Sequence, residues 1–182
     1  MLRIGAALLV AFMLSSCAEY FVKSNKNENF TEKLTNVYVW SGIGSIAPFT
    51  KRPPFADDTF ENLFNTALTN KLTQHGVNNE LHRFESVSDD NSDLLRFETK
   101  FNPDYRLLIA TQGYGTMTSR GITNVNTFVL SLSIIRLADK QKIWQSEVFV
   151  DANTAPGTAW RTAGADKLAD LMIKKMQQDQ LF

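Results

Sequence analysis

The chain has a single cysteine, Cys17, and two histidines, His75 and His82. One thiol cannot form an internal disulfide, and ligands for soft or borderline metals are scarce. Haem, iron–sulfur and structural zinc sites are therefore not expected, and no metal or other cofactor is assigned. An excess of one charge is also missing, because 19 Lys and Arg stand against 19 Asp and Glu. Without a basic surplus, a nucleic-acid partner is not expected. The apolar run from Ile4 to Leu14, broken only by Gly5, is about 11 residues against the ~20 that a membrane-crossing helix needs. Catalytic motifs are absent too: there is no G-x-S-x-G elbow, and neither Gly42-x-Gly44 nor Gly113-Tyr114-Gly115 completes a phosphate cradle. No catalytic residue is assigned. What remains, at 182 residues and 43% hydrophobic, suits one domain with its own core.

The amino terminus places Arg3 before the apolar run and Ser15-Ser16 after it, the anatomy of an export signal. Leu14-Ser15-Ser16-Cys17 resembles the lipobox of bacterial lipoproteins, in which leucine and two small residues precede an invariant cysteine. The resemblance implies that residues 1–16 are a lipoprotein signal peptide cleaved before Cys17. It also implies a diacylglycerol on the Cys17 sulfur and an acyl chain such as palmitate on the new amino terminus. At about 0.8 kcal/mol per buried methylene, three chains anchor far more firmly than one. Ala18 follows, where well-studied Gram-negative lipoproteins retained in the inner membrane usually carry Asp. The implied site is the outer membrane, on its periplasmic face.

Residues 17–36 are expected to be the lipidated amino terminus and a flexible tether. Lys23 to Asn36 is polar and rich in Asn, with Phe30 and Leu34 its only large apolar residues, and could reach roughly 45 Å if extended. Residues 37–182 are expected to form a single α+β domain: a mixed or antiparallel sheet of about five strands, packed with two main helices. Val37-Tyr38-Val39-Trp40 favours a strand. Ser41 to Asp58 carries Gly42, Gly44, Pro48, Pro53 and Pro54 and reads as a long loop. Asp58 and Glu61 can form a capping box, after which Phe60, Leu63, Phe64, Ala67, Leu68 and Leu72 give a helical stripe that ends at Gly76. A strand within Val77 to Val87, a short helix from Ser92 to Phe101 and a buried strand from Tyr105 to Gly113 follow. The alternating strands Thr127–Leu137 and Ile143–Val150 are expected to pair antiparallel across Ala138-Asp139-Lys140-Gln141. A helix from Ala159 to about Gln178 closes the chain.

Among residues that could carry function, His75 sits where an imidazolium would complement a helix carboxyl end, and both histidines are read as structural. Asp89 to Asp93 lacks the glycine and distal Glu of a calcium loop and is read as a solvated turn. The loop from Ile43 to Phe55 differs, since long loops inside domains are often functional. Phe49, Lys51, Arg52 and Phe55 there, with Tyr114 and Arg120 in a second stretch, are the candidate partner-binding residues.

The body resembles small domains of the penicillin-binding-protein activator family, the amino-terminal domain of TolB and the curli-secretion lipoprotein. The likeness is carried by the helix Phe60–His75, by Pro103-Asp104-Tyr105-Arg106-Leu107-Leu108-Ile109, and by Leu137-Ala138-Asp139-Lys140-Gln141-Lys142-Ile143-Trp144. This sequence differs in carrying Lys51-Arg52-Pro53-Pro54 where relatives pass promptly from first strand to helix. The anchor, the tether and the lack of a catalytic motif are best explained by a non-catalytic binding or assembly factor with an envelope protein partner. A subunit of an oligomeric secretion or pore complex, for which Thr111 to Ser133 would supply strands, is the alternative, and an envelope hydrolase is a third.

Overall fold

A computed structural model describes residues 21–43, 58–84, 92–119, 122–151 and 158–182. The β-branched and aromatic run at Val37 forms β2 (Asn36–Gly42), at the middle of a parallel trio. After it come α1 (Asp58–Gln74), β3 (Asn78–Arg83), α2 (Ser92–Phe101) and β4 (Tyr105–Ser119). The strands β5 (Ile122–Arg136) and β6 (Gln141–Asp151) complete a meander, and α3 (Thr158–Gln178) follows. Ahead of all of these lies β1 (Phe21–Lys26), so the six-stranded sheet has the order β1-β6-β5-β4-β2-β3. β2 is parallel to both β3 and β4, and the remaining pairs are antiparallel. This is an α+β fold with one strand more than expected.

The two crossovers explain why helices lie on both faces. From β2 the chain moves outward to β3 through α1, and from β3 it returns through α2 to β4 on the other side of β2. Parallel crossovers are right-handed, so connections running in opposite directions must cross opposite faces. On one face α1 and α3 pack together and on the sheet. Phe60, Phe64, Leu68 and Leu72 of α1 and Leu168, Met172 and Met176 of α3 are buried there against Val39, Leu107, Ile109, Leu132, Ile134 and Trp144. Lys71 bridges the helices to Asp166 at 3.1 Å and Asp170 at 2.7 Å, and these hydrogen bonds raise its pKa. On the outer face α2 covers a smaller core of Tyr38, Trp40, Phe84 and Leu94.

The helix ends follow local rules. Gly76 has φ 76°, its amide bonds Thr73 O, and Val77 N reaches Leu72 O, the pairing of a Schellman cap. α3 ends in the same way, with Gln180 at φ 57° and Leu181 N on Met176 O, and buried Leu181 meets the core. In β6 the register steps from Ile134↔Trp144 to Ile135↔Lys142. That bulge leaves Ile143 as the extra residue, and Ile143 and Trp144 are both buried although adjacent.

The expected tether is the main correction. Part of residues 17–36 is a sheet edge: β1 pairs with β6 from Phe21↔Phe149 to Lys26↔Trp144. Beyond it Phe30 and Leu34 are buried in the core, and Leu34 N bonds Leu181 O at 2.8 Å. An edge strand with one solvated face needs few apolar side chains, because its hydrogen bonds come from the backbone. Val22 and Ser24 share the core-side rows while Lys23 and Asn25 are exposed, so the segment reads as polar. The hairpin strands are also longer than expected, since β4 runs to Ser119 and β5 begins at Ile122. Of the expected long loop, Ser41 and Gly42 belong to β2, Ile43 is buried, and residues 44–57 lie outside the described residues.

Candidate binding face

The outer face of the sheet has two halves of different character. In the half under α2, Leu94, Phe97, Glu98 and Phe101 recur at helical spacing and turn toward β2, β3 and β4. Glu98 meets Arg106 in a two-pronged ion pair, with Nε to Oε1 at 2.6 Å and Nη2 on Oε2. The Arg106 guanidinium stacks over the Trp40 ring at 4.1 Å from its centroid. Tyr38 shares a 2.6 Å hydrogen bond with His82 Nδ1, and the His82 ring stacks on Phe97 at 4.5 Å. Burial pushes the Tyr38 phenol well above its ordinary pKa, assisted by Glu80 and Glu98. Glu98, Arg106, Tyr38 and His82 are each committed to a neighbour, which makes the cluster a brace.

The other half is open among the described residues. Across β4, β5, β6 and β1 the register places Leu108, Ser133, Gln145 and Asn25 in one row and Ala110, Ser131, Glu147 and Lys23 in the next. A shallow trough of about 330 Å³ lies over these rows, with Gln112 and Lys142 at its margin. Small hydroxyls form its floor, and amides and opposite charges line its sides. Such a surface offers both donors and acceptors to a polar partner.

The two ends of the sheet also differ. At the carboxyl ends of the parallel strands, buried Glu61 pairs with Arg83 at 2.7 Å, and Ser41 Oγ donates to Asn65 Oδ1 at 2.7 Å. Asn65 Nδ2 and Trp40 Nε1 are buried without a partner among the described residues. At the opposite end, Tyr105 Oη donates to Glu32 at 2.7 Å, and Arg136 reaches Glu32 at 3.2 Å and Asp139 at 2.7 Å. Burial, then the bond to Glu32, raises the Tyr105 pKa, while the Arg136 hydrogen bond holds Asp139 below the usual carboxylate range. These residues edge a wide cleft of about 930 Å³. Among the described residues, no group of three His, Cys, Asp or Glu is placed to hold a metal.

Of the candidate residues drawn from sequence, Cys17, Phe49, Lys51, Arg52, Phe55 and Arg120 lie outside the described residues. Tyr114 lies in β4, in register with Phe128. Their points of attachment nevertheless converge. β2 ends at Gly42 beside Ala110, β1 begins at Phe21 beside Phe149, and the β4–β5 hairpin continues past both. The segments holding Cys17, Phe49–Phe55 and Arg120 all join the fold at this one end. The trough and the Glu98–Arg106 brace were not anticipated. The spacing of Leu94, Phe97, Glu98 and Phe101 was the signal that could have revealed the brace. Of the two histidines, His82 bonds Tyr38 and stacks on Phe97, and His75 stacks on Phe182 at 5.0 Å.

No family model matches the chain, and no curated protein matches it in sequence. Among solved structures it is similar to the PelC dodecamer from Paraburkholderia phytofirmans, at 12% identity and a TM-score of 0.50, over 85% of this chain and 96% of that one. A point variant of the same protein gives 12% identity and a TM-score of 0.51 over the same shares. Lipoprotein GNA1162 from Neisseria meningitidis is similar at 12% identity and a TM-score of 0.45, over 79% of this chain and 99% of that one. At these identities the likeness is one of fold.

Proposed function

We propose that the chain is a lipid-anchored lipoprotein of the bacterial envelope, held through Cys17 at the periplasmic face of the outer membrane. In this reading it binds another envelope protein and assists its assembly, with no reaction of its own. The observation that carries the reading is how few residues separate Cys17 from the first strand in the sequence. A lipobox-like Leu14-Ser15-Ser16-Cys17 stands shortly before a strand of the sheet that begins at Phe21. A cysteine four positions ahead of a sheet edge suits an anchor for a body with an open polar trough. A second reading, a subunit of an oligomeric complex, is favoured by the fold shared with a protein crystallised as a dodecamer.

Two experiments separate these. Cys17→Ser is expected to leave unprocessed precursor and to abolish membrane fractionation; normal processing and membrane recovery of that variant would remove the anchor. A photo-crosslinking residue at Ser133, in the trough, is expected to trap one defined envelope protein that the same residue at Ala138 does not. Adducts between copies alone would favour the oligomeric reading, and no adduct from Ser133 would exclude the trough as the binding face.

A further inference from the structure

Among the described residues no strand lies beyond β1 or β3, the two ends of the sheet. The hydrogen bonds on the inner side of each edge decide which backbone groups face outward. Asn27 N bonds Ile143 O, so the odd positions of β1 exchange bonds with β6, and the amides and carbonyls of Val22 and Ser24 point away from it. In β3, Asn78 N bonds Thr35 O and Phe84 N bonds Ser41 O. The even positions therefore serve β2, and Asn79 and Leu81 turn their backbone groups outward. Outward donors and acceptors on an edge strand are a template for a further strand.

The two edges match in direction, in face and in side-chain chemistry. β4 runs with β2 and β3 while β5, β6 and β1 alternate, so β1 runs opposite to β3. Extending the sheet into a second copy, with the helices kept on the same side, thus sets β1 of one copy antiparallel to β3 of the next. The outward-directed residues of both edges also carry their side chains on the face covered by α1 and α3. Val22 and Leu81 pack on the main core there, Ser24 reaches Asp179 and Asn79 reaches Thr69 of α1. Had the two sets lain on opposite faces, joining them would have turned one copy's helices to the other side. One register suits the side chains. With Val22 opposite Leu81, Ser24 meets Asn79, and on the outer face exposed Lys23 stands opposite exposed Glu80. Moving the register by two sets Val22 against Arg83 or Asn79 and parts Lys23 from Glu80.

We propose that β1 pairs antiparallel with β3 of a second copy in this register, a head-to-tail contact. This rests on the second reading above, that of an oligomeric subunit. The contact also completes the trough, because the row of Glu147 and Lys23 continues into the next copy's Glu80, and that of Gln145 and Asn25 into its Asn78. The test co-expresses two full-length chains, one with Lys23→Cys and one with Glu80→Cys, beside the parent, whose Cys17 gives the background. Facing residues of such a pair lie about 4.5 Å apart at Cα, within reach of a disulfide. Mild oxidation is expected to join positions 23 and 80, identified by mass spectrometry of the linked peptides, and the variant with both substitutions is expected to give a ladder of multimers. Disulfides joining 23 to 23 or 80 to 80, or none above the background, would overturn the proposal. Lys23→Glu and Glu80→Lys should each weaken association several-fold in sedimentation, and their combination should restore it; a combination as weak as either alone would overturn the register. A parent that sediments as a monomer would remove the oligomeric reading itself, whereas an oligomer without the 23–80 link would remove only this interface.

Discussion

Asp179 shows how one side chain can join three segments. It accepts from Trp144 Nε1 at 2.8 Å, from Ser24 of β1 and from Lys175 of α3, just beyond the end of that helix. Burial alone would raise its pKa, but the hydrogen bonds from Ser24, Trp144 and Lys175 outweigh that and hold it below the usual carboxylate value. A carboxyl lowered on folding contributes stability that is complete above its unfolded pKa, near ~3.9. That contribution disappears as pH falls through the lower folded value. We expect Asp179→Asn to cost about 1–2 kcal/mol at pH 7, where hydrogen bonds to a charged acceptor are replaced by weaker ones. Between about pH 5 and pH 2 the variant should lose stability less steeply than the parent. Urea midpoints across that range are the measurement, and parallel curves would show that Asp179 titrates as it would in the unfolded chain. None of this is visible in the sequence, because Ser24 and Asp179 are 155 positions apart.

At the scale of elements, legibility followed side-chain period. α1, α2, β5, β6 and α3 were readable because apolar residues recur every three to four or every two positions, and the structure buries those rows. β1 was not readable, since its place in the sheet is set by backbone pairing with β6, and its exposed face carries Lys23 and Asn25. The far end of the β4–β5 hairpin was missed for a related reason. From Thr111 to Val129 the sequence mixes Gly, Thr, Ser and Asn with isolated apolar residues, so no alternation strong enough to mark strand ends is written there. Where the period was strong, a direct check is available. Leu68 is fully buried between the sheet and α3, so Leu68→Ala should cost about 2–5 kcal/mol, the range for a buried leucine cut to a methyl. A denaturant midpoint unchanged within error would mean that the α1 stripe does not carry the core.

For the whole molecule, the arrangement of ends matters more than any pocket. The amino-terminal entry, the carboxyl ends of β2 and β3 and the far end of the β4–β5 hairpin share one end of the sheet. The Glu32–Arg136–Asp139 network closes the other. Of the candidate residues read from sequence only Tyr114 lies among the described residues; that the segments of the others attach at one end depends on strand direction, which composition does not encode. If a short anchor sets this orientation, lengthening it should relax the orientation without altering the fold. A Gly/Ser insert of about 20 residues between Ala18 and Glu19 has an r.m.s. span of roughly 25 Å. The body's effective concentration at the surface should then fall with about the three-halves power of tether length. We expect unchanged membrane fractionation and an unchanged thermal midpoint, but weaker trapping from Ser133. Undiminished trapping would mean that the trough reaches its partner whatever the length of the anchor.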